Sequence, residues 1–183
     1  MKTSPTTLPE VLLIEPVVHG DARGFFQETW NEQRYRQSGI DQPFVQDNLS
    51  RSRNDTLRGL HFQEPGGQGK LVSVLAGRVF DVVVDVRRGS PRFGQWAGFE
   101  LDSDSRRQLW VPSGFAHGFC VLSETADFFY KCTAPYNPAA EHGILWNDPA
   151  IGIQWPVAAP LLSTKDAAAR RLVDAPTLPP YAI

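Results

Sequence analysis

The segment Arg78–Val86 reads RVFDVVVDV, and its alternation limits the fold more than any other stretch of the chain. A period of two puts Phe80, Val82 and Val84 on one face of a strand and Asp81, Val83 and Asp85 on the other. Short runs rich in Val, Phe, Tyr and Trp recur at 11–18, 24–28, 44–50, 57–62, 71–75, 79–86, 96–101, 108–111, 118–121, 127–133 and 144–146. Glycine and proline, 15 of each, punctuate them, which favours turns over long helices. Helix signals are confined to 31–38, closed by Gly39, and 163–174, where Ser163 and Asp166 form a capping-box pattern. The expectation is an all-β single domain over 1–183. It takes the form of a jelly-roll β-barrel with a few short helices and an extended tail from about 172.

A net charge of -2 argues against nucleic acid as the main partner, because a phosphate backbone demands a basic face, while local basic clusters could still hold a small phosphorylated ligand. No apolar run approaches membrane-span length, and MKTSPTTLPEV lacks a signal-peptide core, so a cytoplasmic protein is expected. Cys120 and Cys132 lie inside apolar runs without motif spacing and read as buried core in a reducing compartment.

The chemistry starts from the histidines. His19 and His142 read as structural, while His61 in LRGLHFQ and His117 in VPSGFAHGF occupy more telling places. Pro112-x-Gly114-x-x-His117 resembles the second cupin motif, a turn that delivers a histidine into a barrel mouth. The first cupin motif supplies H-x-H, then a glutamate, then a glycine seven residues later. Here those positions hold His61, Gln63, Lys70 and Gly77. A divalent metal needs a carboxylate at such a site, whereas Lys70 brings an ammonium with no lone pair. The expectation is no metal, and a fixed cation that stabilises negative charge developing on an oxygen.

An enolate needs a base beside a ketone. His61 suits that task, since an imidazole titrates at about 6.5. Such a base needs a carboxylate to orient it, and the sequence does not show which. Inversion also needs an acid on the far face. Tyr130 in DFFYKCTAPY alternates with Phe129 and Lys131, so it can point inward with Phe128. Arg58, beside Gly59, is read as pointing into the barrel, where a guanidinium suits diphosphate oxygens. Arg51 and Arg53 read as solvated, and Trp96, Trp110, Trp146 and Trp155 as core or interface.

The blocks GDARGFFQETW, FVQDNLSRS, TLRGLHFQ, DVVVDVRRGSPRFGQW, QLWVPSGFAHGF, SETADFFYKCTAPYNP and LLSTKD, taken in order, resemble the dTDP-4-dehydrorhamnose 3,5-epimerases from about Val11 to Asp166. That resemblance implies a homodimeric barrel without cofactor, acting on a dTDP-4-keto-6-deoxyhexose at C3 and C5. By resemblance His61 is the proton acceptor, Tyr130 the donor, Lys70 the holder of the C4 oxygen and Asp166 the carboxylate that orients the base. Arg23, Glu28, Gln46, Asp47, Asn48, Arg58, His117, Glu141 and Lys165 resemble substrate contacts, and Tyr136 the aromatic that stacks near the substrate. The plainer reading of Asp166 is the third residue of a capping box, and of Tyr130, core packing. Rival functions are a metal-dependent cupin, a non-catalytic sugar-binding jelly roll, and an epimerase acting at C3 or C5 alone.

Overall fold

The computed structural model describes residues 1–181. The chain forms β1 (Lys2–Pro5), β2 (Leu12–Glu15), β3 (Val18–Asp21), β4 (Gly24–Gln27), α1 (Glu32–Gln37), β5 (Gln46–Arg53), β6 (Leu57–Gln63) and β7 (Lys70–Ala76). It continues through β8 (Arg78–Asp85), β9 (Trp96–Asp102), β10 (Gln108–Val111), β11 (Phe115–Val121), β12 (Thr125–Cys132), β13 (Glu141–Gly143) and α2 (Thr164–Ala167), then a 3₁₀ turn at Leu172–Asp174. A six-stranded sheet, β1-β2-β10-β7-β12-β5, faces a five-stranded one, β13-β6-β11-β8-β9. The sheets do not hydrogen-bond into a closed barrel, and β3 and β4 pair apart from both as a hairpin.

The alternation in β8 does what its period demands. Val79 and Val83 turn into the core between the sheets with Val72, Val74, Leu109, Phe119 and Phe128. Val82 and Val84 pack on the opposite face against Leu60, Ile144, Ile151 and Leu172 from the C-terminal segment. Both faces of the five-stranded sheet are therefore covered. The outer face of the other sheet receives α1, through Tyr35 packed with Ile14, Leu71 and Trp110. Each fully buried Val or Leu contributes roughly 1.5–3 kcal/mol, so this two-sided burial makes β8 the spine of the molecule.

Several boundaries differ from those expected. The stretch 11–18 is two strands broken at Pro16, which has no N–H to donate and leaves the chain free to depart into the hairpin. β1 pairs with β2 along its whole length although KTSP carries no apolar alternation; its partner holds it. The strand expected at 144–146 lies just before, at Glu141–Gly143, paired with β6. The helix expected over 163–174 stops at Ala167, because Arg170 is drawn into a bridge with Ile144 and Leu145 donates to its carbonyl at 2.7 Å. The tail opens with the 3₁₀ turn rather than extended, its Leu172 N–H held by buried Asp148 at 2.7 Å. Beyond that turn, Pro180 bridges Arg88.

One irregularity shapes the pocket. Across β6 and β11, His61 faces His117 and Arg58 faces Phe119, so three steps on one strand match two on the other. This bulge lets Arg58 and His61 share a face, which strict alternation forbids. Gly59 sits at its centre with φ 129°, and a Cβ there would lie 2.5 Å from Gly118 Cα. Only two facing glycines allow that approach.

Candidate active site

A cavity of about 260 Å³ opens between the sheets. The five-stranded sheet contributes Arg58 and His61 from β6 and His117 and Phe119 from β11; the six-stranded sheet contributes Ser50, Lys70, Phe128 and Tyr130. Ser163, Lys165 and Asp166 close one side. His61 and Tyr130 thus stand on facing walls. Lys70 lies beside Tyr130, since Cys132 pairs with Lys70 and Tyr130 with Val72 across β12 and β7.

His61 Nε2 lies 2.6 Å from Asp166 Oδ1. The aspartate is buried at the start of α2, where Ser163 Oγ accepts its backbone N–H at 3.0 Å. Capping and histidine contact are therefore two parts of one arrangement, the backbone serving the helix and the carboxylate serving the imidazole. Burial alone would raise the Asp166 pKa, but hydrogen bonds from His61 and Ser163 and the Gly59 N–H hold it below the usual carboxylate range. Lys70 is pushed the other way, its ammonium destabilised by burial and thus below the ordinary lysine range. Burial raises Tyr130, which keeps its phenol protonated at neutral pH.

The rim is a second cluster. Tyr136 donates its hydroxyl to Glu141 Oε2 at 2.7 Å, and Lys165 Nζ binds the same oxygen. Burial works against the Glu141 charge, yet these two donors bring its pKa below the ordinary value. Gln46 accepts the Tyr136 backbone N–H at 2.8 Å, and Asn48 faces inward to Cys132 Sγ at 3.5 Å.

Gln46, Asn48, Tyr136 and Glu141 sit beside this cavity without lining it, and three further expected contacts lie away from it. Arg23 lies on the β3–β4 hairpin, paired with Asp21 in solvent. Glu28 follows that hairpin and holds Arg34 at 2.9 Å. Asp47 points from the outer face of β5 to Lys131, as alternation with Gln46 and Asn48 requires. Conversely, Ser50, Phe119 and Ser163 line the pocket without having been singled out. The period of two would have found Ser50 behind Gln46 and Asn48, and Phe119 behind His117. Asp81, which binds His117 from behind, was also legible as the polar residue on the Val83 face.

At the cupin metal positions, Gln63 turns away from the cavity to bind Pro135 O and the Asn137 N–H. Among the described residues no three His, Cys, Asp or Glu side chains converge as a metal would need. Cys120 and Cys132 are both buried and unpaired. No helix of the described residues is long and apolar enough to cross a membrane.

A jelly roll whose pocket sets a carboxylate-bound histidine against a tyrosine, with a half-buried lysine beside the tyrosine, has the parts of a carbohydrate epimerase working by proton transfer. Its sequence says which. The dTDP-4-dehydrorhamnose 3,5-epimerase family model matches residues 5–174, and the chain belongs to that family. It is 55% identical over 173 residues to the dTDP-4-dehydrorhamnose 3,5-epimerase of Salmonella typhimurium, covering 93% of this chain and 94% of the relative. The relative of the same name from Neisseria gonorrhoeae is 54% identical over 171 residues, 93% of this chain, and is longer: the match spans 52% of it. Among solved structures, a Legionella pneumophila dTDP-6-deoxy-D-glucose-3,5-epimerase in complex with dTDP-4-keto-L-rhamnose superposes with a TM-score of 0.96. It is 51% identical, over 100% of this chain and 99% of that one.

Proposed function

We propose that the chain inverts C3 and C5 of dTDP-4-keto-6-deoxy-D-glucose to give dTDP-4-keto-L-rhamnose. The observation that carries this reading is the placement of His61 and Tyr130 on opposite walls of one cavity, with Lys70 beside the tyrosine. The names of the relatives supply the substrate class.

Asp166 accepts the Nε2–H of His61, which leaves the Nδ1 lone pair as the base. His61 takes the proton from the carbon next to the C4 ketone, and the bonding electrons move onto the C4 oxygen. The Lys70 ammonium stabilises that enolate oxygen in a poorly hydrated site, where a fixed charge acts more strongly than in water. Tyr130 returns a proton from the other face, and the centre is inverted. Arg58, oriented by Ser52 Oγ at 3.0 Å, suits the diphosphate, and exposed Tyr136 at the rim suits the nucleotide base. No step here draws on a cofactor.

The family implies a homodimer. The hairpin is the face best suited to a second chain, with Phe25 57% and Phe26 69% exposed beside Arg23. In that assembly Arg23 and Glu28 would act away from their own chain's cavity.

The test is incubation with dTDP-4-keto-6-deoxyglucose in deuterated water, following label at C3 and C5. Tyr130→Phe is expected to keep exchange at C3 and lose inversion at C5. An enzyme acting at C3 alone would leave C5 unlabelled in the wild type, and an enzyme acting at C5 alone would leave C3 unlabelled. Unchanged turnover in His61→Ala would end the mechanism.

A further inference from the structure

A second histidine–carboxylate pair lies deeper in the same pocket, with no task in the mechanism above. Across β11 and β8, His117 faces Val83 and Phe119 faces Asp81. Both Asp81 oxygens lie near His117 Nε2, at 3.0 and 2.9 Å. Asp81 is fully buried and His117 is 7% exposed.

The two pairs differ in what else touches the carboxylate. The Gly59 N–H also acts on Asp166 to lower its pKa, so its charge does not depend on His61 alone. Among the described residues Asp81 has no hydrogen-bond donor besides His117. A buried carboxylate with no compensating proton or charge is strongly disfavoured. The Asp81–His117 pair therefore settles in its neutral form. One proton lies between the carboxylate and Nε2, and a second resides on Nδ1. Whichever partner holds the first proton, Nδ1 carries its own.

Nδ1 has no protein partner among the described residues. The only side-chain N or O atom there that is both sealed and unpartnered is Glu10 Oε2, so the open His117 nitrogen reaches the cavity that the ring lines. The groups facing it are Arg58 and His61 from β6, Lys70 from β7, Tyr130 from β12, and Lys165 and Asp166 from the segment over the mouth. The three cations among them favour an anion beside Nδ1. They oppose a further free cation, which a neutral pair avoids.

We propose that Asp81 is a positioning residue that makes His117 a standing Nδ1–H donor to an anionic oxygen of the bound nucleotide sugar. This rests on the epimerase reading and divides the labour between the histidines: His61 cycles a proton, while His117 donates a hydrogen bond and keeps its proton. The anionic oxygen belongs either to the enolate or to the diphosphate.

The test combines nitrogen NMR and kinetics. In protein labelled with ¹⁵N in its imidazoles, with His117 assigned by loss of its signals in His117→Asn, Nδ1 of wild type is expected to carry its proton in neutral solution. In Asp81→Asn the amide oxygen accepts Nε2–H without supplying charge, and Nδ1 is expected to lose its proton. Turnover over KM should fall about 100-fold, the loss expected for one donor to a developing oxyanion. A fall in kcat assigns the enolate oxygen; a rise in KM with weaker binding of dTDP alone assigns the diphosphate. An unprotonated Nδ1 in neutral wild-type protein overturns the proposal, as does a folded Asp81→Asn with unchanged kcat/KM. If that variant does not fold, the wild-type spectrum decides. A wild type inactive on the dTDP-ketosugar would sink the epimerase reading, and the spectrum would still judge Asp81.

Discussion

The two histidine–aspartate pairs of this pocket share ring geometry and differ in surroundings. Each histidine presents Nε2 to a carboxylate. His61, with its side chain 28% exposed, is bound to an aspartate at the turn into a short helix, in reach of a backbone N–H. His117 is buried against an aspartate that has no other donor among the described residues. A carboxylate stabilised by several donors tolerates a neutral imidazole, which is what a base must be before it acts. One stabilised by a single imidazole holds its proton. The same two residue types thus serve opposite ends of proton chemistry, and second partners decide which.

The widest gap between the pairs should appear on truncation. His61→Ala removes the base and is expected to lower kcat about 10⁴-fold, the upper end for general base catalysis. His117→Ala, which removes one donor, should cost about 10²-fold. Equal losses in steady-state assays would break the division of labour. Asp166→Asn comes next, with a fall of about 10³-fold. Its amide keeps the contact with His61 but supplies no charge to stabilise the imidazolium that forms as the proton is taken.

A structural change touches both pairs together. Gly59 supplies the N–H near Asp166 and abuts Gly118, the neighbour of His117. Gly59→Ala forces a contact of 2.5 Å against backbone and is expected to destabilise the fold by about 1–3 kcal/mol, read as a lower urea midpoint.

The smallest expected effect is also the sharpest test of the contrast. Asp166 has a lowered pKa, so its stabilisation is complete above the ordinary carboxylate value of about 3.9 and is lost as pH falls through the folded value. Burial raises the pKa of Asp81, so its contribution runs the other way: present at low pH and lost as pH rises through the folded value. Unfolding from about pH 7 down to pH 3 should shrink the advantage of wild type over Asp166→Asn, and raise wild type relative to Asp81→Asn. Parallel trends in the two variants would show that the carboxylates are not in different states.

Much of this site was legible along the chain. His61, Lys70, His117 and Tyr130 were each marked by a motif position or an alternating face, because a strand's period of two is local and survives in any β environment. Arg58 and His61 are instructive, since three residues apart they should face opposite ways. Only the bulge at Gly59, made against another strand, turns both inward. Alternation gives the face of Asp81 but not its role, because a polar residue amid valines has no stated partner until the neighbouring strand is placed.

Local chemistry in the sequence determined the all-β class, the turns, the face most strand residues take and the ammonium that replaces a cupin carboxylate. The end of α2, the pairing of β1 and the departure of Asp47, Arg23 and Glu28 from the cavity were decided by tertiary structure. So was the difference between the two aspartates. Alternation and propensity act between neighbours in the chain, but the state of a buried charge depends on every donor within hydrogen-bond reach. For Asp166 and Asp81 those donors come from segments 105 and 36 residues away.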